Sequence, residues 1–135
     1  MRRTADLEAR RWLAQARADL ADAAYNREGG RHHLACFLAH QSAEKALKAL
    51  LFLDPDADPW GHSVRELCQQ AARADAAWAV PADEVAPLDQ FYIPTRYPNG
   101  LPGGIPSEAY SADDSARAIA LADRVVQAVS SRFPA

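Results

Sequence analysis

Gln41, Glu44, Lys45 and Lys48 recur at i, i+3, i+4 and i+7, a spacing that puts all four on one face of a helix. They include the only two lysines of a chain whose other thirteen basic residues are all Arg. A lysine is a compact point charge, so this face suits a ligand phosphate or an acidic partner, with Gln41 adding hydrogen bonds. The competing reading is a solvated Glu44–Lys48 pair worth about 0.3 kcal/mol. His62 lies between Gly61 and Ser63, next to a helix start whose free backbone amides favour anions. It reads equally well as a loop histidine packed over that helix. Arg96 and Tyr97 put a planar cation beside an aromatic ring, a combination that clamps phosphates and stacks on bases. The plainer account has Arg96 capping carbonyl groups and Tyr97 in the core. Arg27 and His32 are separated by four residues, but Gly29-Gly30 lies between them and marks a hairpin.

Several chemistries are excluded. There is no Ser-His-Asp order and no glycine-rich phosphate loop. Cys36, Cys68 and the four histidines lack metal-ligand spacing, so neither metal nor cofactor is expected. The two cysteines read as small buried apolar residues of a reduced cytosol. A net charge of −3 argues against a protein that coats nucleic acid, although residues 1–33 hold seven Arg against five acids. No run of about 18 apolar residues is present, so no membrane span is expected. The start of the chain lacks an apolar secretory segment, which together with the cysteines predicts a cytoplasmic protein.

A length of 135 residues fits one domain, residues 1–135, with a core that needs no staples. Thirty of the residues are Ala, which favours closely packed helices. The first helix is predicted over about 5–27, burying Trp12, Leu13, Ala16, Leu20, Ala23 and Ala24. The second runs over about 31–53, with Leu34, Phe37, Leu38, Leu47, Leu50 and Leu51 inward, until Pro55 and Pro59 forbid continuation. Ser63 and Glu66 read as a capping box opening a third helix to about Ala79. A short helix follows over about 85–93. Residues 94–106 hold four Pro and three Gly and read as an irregular loop. Ser111 and Asp114 cap a last helix to about Arg132, with Ile119, Ala122, Val125, Val126 and Val129 inward. The sum is an all-α, up-and-down four-helix bundle with an extra short helix. Apolar Leu101, Ile105 and Tyr110 are left over for an interface between copies.

Together these segments resemble the HEPN domain family, small helical bundles linked to nucleotide binding. The resemblance rests on Asp19-Leu20 in the first helix, AHQSAEKALKALL at 39–51, Gly61-His62-Ser63, and YIPTRYP at 92–98, in the family's order. It implies a homodimeric module for nucleotide or RNA, paired with a minimal nucleotidyltransferase in a toxin–antitoxin-like system. The ligand-binding residues expected are Gln41, Lys45, Lys48, His62, Arg96 and Tyr97. Other family members are metal-independent ribonucleases with Arg, four to six residues, then His. Arg96 matches that Arg, but no His follows it in this chain. A ribonuclease here would use Arg96 with His62 or with a histidine of a second subunit. At positions 38 and 40 the chain has Leu and His where relatives often have His and Gln. A ligand-free structural adaptor is the third alternative.

Overall fold

The computed structural model describes residues 2–134. Helix α1 spans Arg2–Glu28 and α2 spans His32–Leu51, joined by a tight hairpin that makes them antiparallel. Helix α3 spans Val64–Ala74 and α4 is a single turn at Ala82–Val85, continued by a 3-10 segment at Ala86–Phe91. A second 3-10 turn occupies Pro98–Gly100, α5 is one turn at Pro106–Ala109, and α6 spans Ala112–Ser130. Among the described residues there is no strand. The expected all-helical bundle is therefore observed.

Helix α2 is the centre of the fold. It packs against α1, α3, α5, α6 and the 3-10 segment, and thirteen of its twenty residues are buried. Ala35, Ala39, Ala43, Ala46 and Ala49 are fully buried, and their small side chains let neighbouring helices approach from more than one side. Between them Leu47 and Leu51 fill the core with Leu13, Leu67, Val125 and Val129. Ser42 donates a 2.7 Å hydrogen bond to the carbonyl of Ala16, tying α2 to α1 at their closest faces. Leu34 is 39% exposed and Ala24 is exposed, so neither belongs to the buried stripe expected of its helix. The wrap of neighbours around α2 covers its middle and C-terminal half more fully than its first turn.

Three boundaries differ from expectation, each for a local reason. Helix α3 stops at Ala74 and does not reach Ala79, because Asp75 turns extended and its carboxylate takes the Ala77 amide and the Arg132 guanidinium. The short helix near 85–93 splits into α4 and the 3-10 segment, since Pro87 has no amide proton with which to continue the α-ladder. The loop contains the α5 turn, begun by Pro106 at a first-turn position where its missing N–H costs nothing. The Ser111–Asp114 capping box is complete in both directions.

At α3 the Ser63 hydroxyl accepts the Glu66 amide as expected, but the carboxylate at this end is Asp89. Asp89 accepts the Ser63 hydroxyl and the backbone N–H groups of Val64 and Arg65, from the 3-10 segment. Burial alone would raise its carboxyl, but the hydrogen bonds from His40, Ser63, Val64 and Arg65 outweigh it and hold the carboxyl below its usual value. The stability gained is fully present above the ordinary carboxylate value of about 3.9 and is lost as pH falls through the depressed folded value. Asp89→Asn should cost about 1.5 kcal/mol at pH 7 and flatten the acid limb of a stability–pH curve measured by urea unfolding. An unchanged acid limb would show that Asp89 is not the anchor of α3.

Candidate functional site

The aromatic ring of Tyr92, just past the 3-10 segment, is the platform on which the chemistry-bearing residues meet. The His62 imidazole stacks on it with centroids 4.7 Å apart and planes 22° apart. The Arg96 guanidinium carbon lies 4.5 Å from the same ring centroid, 4.7 Å from that of Phe37 and 5.1 Å from that of Tyr97. Arg96 Nε donates a 2.8 Å hydrogen bond to the Tyr92 carbonyl, the helix-end role considered for it, and this is its only side-chain hydrogen bond among the described residues. The guanidinium thus packs against three rings and one carbonyl, and its Nη atoms make no hydrogen bond among the described residues. Tyr97 is 50% exposed and so lies outside the core, where its ring is open for stacking.

His62 is held from behind. Its Nδ1 lies 3.3 Å from both carboxylate oxygens of Glu44, while its side chain is 57% exposed. Glu44 is only 4% exposed and receives a 3.0 Å bond from Lys48 Nζ, itself 8% exposed and 5.8 Å from the Trp12 ring. The Glu44–Lys48 pair is thus internal, and the solvated pair considered from spacing is not what forms. Lys45 points toward α1, where its ammonium meets Asp19 at 2.5 Å, and Gln15 holds the other Asp19 oxygen at 2.8 Å. Both lysines therefore face α1, Glu44 also reaches His62 in the loop before α3, and both lysine charges are matched inside the fold.

Behind His62 sits His40, fully buried and 5.1 Å from the Tyr92 ring centroid. Its Nε2 donates to the His62 carbonyl at 2.9 Å, and the Gln41 side-chain amide lies 3.3 Å from its Nδ1. Gln41 therefore supports His40. Gly61, with φ +91, supplies the left-handed turn that brings His62 over Tyr92, a conformation that a side chain would strain. The backbone of Gly100 packs so close to Pro94 that an added Cβ would stand 2.9 Å from the Pro94 Cα, which closes the loop carrying Arg96 and Tyr97.

His62 and Arg96 each pack against the Tyr92 ring and Tyr97 lies against Arg96, whereas Lys45 pairs with Asp19, Lys48 with Glu44 and Gln41 with His40. Arg27 bonds the Ala112 carbonyl and His32 the Ser115 hydroxyl, so that pair serves the junction with α6. The residues missed from sequence are Tyr92 as the platform, Phe37 as a support for Arg96, His40 and Asp89. For Phe37 and His40 the only signal was an aromatic and a histidine three apart on α2, which an ordinary core also shows. Among the described residues no three His, Cys, Asp or Glu side chains group as metal ligands would. Burial, with the Asp114 charge adding to it, pushes the Cys36 thiol up to about 12, and burial likewise raises Cys68, so neither offers a thiolate. No helix among the described residues is long and apolar enough to cross a membrane.

Comparisons with known proteins bear on the fold and the family. The HEPN domain profile matches residues 9–132. Among solved structures, TT1696 from Thermus thermophilus is 38% identical with a TM-score of 0.82, covering 93% of this chain and 98% of its own. ST0689, described as an archaeal HEPN homologue, is 33% identical with a TM-score of 0.73, covering 93% of this chain and 98% of its own. A HEPN domain protein of Thermotoga maritima, tm0613, is 25% identical with a TM-score of 0.66, covering 91% and 97% respectively. No match was found among curated proteins. A family profile over almost the whole length, with relatives that share both fold and sequence, leads to one conclusion: this chain belongs to the HEPN domain family.

Proposed function

We propose that the protein is a cytoplasmic, homodimeric HEPN-type binding module for a nucleotide or RNA phosphate, acting as the partner of a minimal nucleotidyltransferase in a toxin–antitoxin-like pair. The observation that carries the binding reading is Arg96, whose guanidinium rests on Phe37, Tyr92 and Tyr97 with its Nη edge uncommitted among the described residues. A phosphate would dock on that edge and a base would stack on Tyr97. The matched charges of Lys45 and Lys48 move the ligand-binding role from the α2 lysines to Arg96, Tyr97 and His62. The nucleotidyltransferase pairing and the dimer follow from the family resemblance, and Ile105 is an exposed apolar residue available to a second copy.

Arg96→Ala should weaken binding of a labelled single-stranded RNA at least tenfold by fluorescence anisotropy, and wild-type affinity should fall as salt rises. Equal affinity of the variant, or no dependence on salt, would remove Arg96 from the site. The same titration with a candidate nucleotidyltransferase, with light scattering for the mass of the chain alone, tests the pairing and the dimer. A second reading, metal-independent ribonuclease, is favoured by one specific observation: His62 is braced by a carboxylate and shares the Tyr92 ring with Arg96. It requires RNA cleavage without added metal, abolished by either Arg96→Ala or His62→Ala.

A further inference from the structure

We infer that the open groove between α1 and α6 is the surface on which a second copy of this chain docks, each copy laying its α1 over the α6 of the other. This rests on the homodimer in the reading above and gives that dimer its interface. The groove has a volume of about 640 Å³ and runs along both helices. Arg27 at the end of α1 bonds the Ala112 carbonyl at the start of α6, and Arg17 bonds the Ser130 hydroxyl at the end of α6, so the two walls are antiparallel. Toward the Arg27 end the lining is apolar, with Leu20, Ala21 and Ala24 on one wall and Ala116, Ile119 and Ala120 on the other. Ala21, Ala24 and Ala120 are exposed, although the apolar spacing of α1 assigns Ala24 to the buried stripe. A core-type surface left open in one copy is a surface for another molecule.

Charge identifies the occupant. Toward the other end each wall carries one exposed charged side chain, of opposite sign: Arg17 on α1 and Asp123 on α6. Within one copy each meets an uncharged group, since Arg17 Nη2 donates to Ser130 Oγ at 2.9 Å and Asp123 accepts from the Gln127 amide at 3.3 Å. A two-fold axis running along the groove places α1 of each copy over α6 of the other. Apolar end then meets apolar end, and Arg17 faces the partner's Asp123 twice, once on each side of the axis. An axis across the groove would instead set each Arg17 against the apolar end of the other copy, without a counter-charge. The groove is thus its own complement in polarity and in charge, and the small side chains on both walls let helix backbones come close. The loop over 94–110 offers less, because Tyr110 packs on Phe91 and Leu101 is half-buried, which leaves Ile105 alone.

The test is sedimentation velocity on the full chain over a range of concentrations. Arg17→Asp and Asp123→Arg each set like charges across the axis, and each should weaken the dimer about tenfold or more. Mixed in equal amounts, the two variants should recover wild-type affinity as a heterodimer, because both crossings then pair opposite charges. Ala120→Arg, an exchange of good helix formers at an exposed position, should leave the circular dichroism spectrum unchanged and the chain monomeric. A wild-type dimer indifferent to all three substitutions would overturn this inference and leave the homodimer standing. So would a dimer broken by Ile105→Asp alone. Two weakened variants that stay weak on mixing would overturn it too. A wild type that is monomeric at every concentration would remove the interface and the homodimer together.

Discussion

Leu47→Ala is expected to lower the unfolding free energy by about 2–5 kcal/mol, read from urea unfolding followed by circular dichroism. Leu47 is fully buried on α2, the helix against which α1, α3 and α6 all pack. The cost exceeds the transfer of the lost atoms because the surroundings are unable to close the gap. Ala43 and Ala46 beside it have no longer side chain to swing inward, and the helix backbones are already in close approach. The upper half of the range is therefore the expected one. A change below about 1 kcal/mol would mean that α2 presents a different face to the core.

Glu44→Ala should cost about 3–5 kcal/mol, because it leaves the Lys48 ammonium buried without its carboxylate. Removing both charges should behave differently. Glu44→Leu with Lys48→Met replaces an ion pair by apolar groups of similar volume next to Trp12, and stability should stay within about 1 kcal/mol of wild type. The contrast separates a pair that stabilises the bundle from one kept for the placement of His62. Equal losses in the single and double variants would assign the pair to stability alone. A double-mutant cycle with calorimetric unfolding provides the measurement.

Elements were legible wherever a residue's own chemistry decides the outcome. Gly29-Gly30 closes α1, the prolines at 55 and 59 follow the end of α2, and Ser111 with Asp114 opens α6. Outcomes set by a distant partner were not legible. The acid at the start of α3 was read as Glu66, three residues along, whereas Asp89 supplies it from twenty-five residues beyond Val64. The end of α3 depends on Arg132, fifty-seven residues from Asp75. The same limit governs the site. His62, Arg96 and Tyr97 stood out by type, but their common support on Tyr92 is a tertiary fact. Charge normally implies exposure, so Lys45 and Lys48 read as solvent-facing; Asp19 and Glu44 offset the cost of their partial burial.

The contact of Gly100 with Pro94 has a thermodynamic consequence for capture of the ligand proposed above. It pinches the chain on either side of Arg96 and Tyr97, while Thr95 between the anchors is buried and donates to the Phe91 carbonyl at 2.6 Å. A proline- and glycine-rich segment left open would lose backbone and side-chain freedom each time a ligand arrived, about 0.5–1.5 kcal/mol for each immobilised side chain. Here that entropy is surrendered once, when the chain folds. Affinity at such a site is preorganised, so it is governed by how long the ligand stays more than by how the loop must rearrange to admit it.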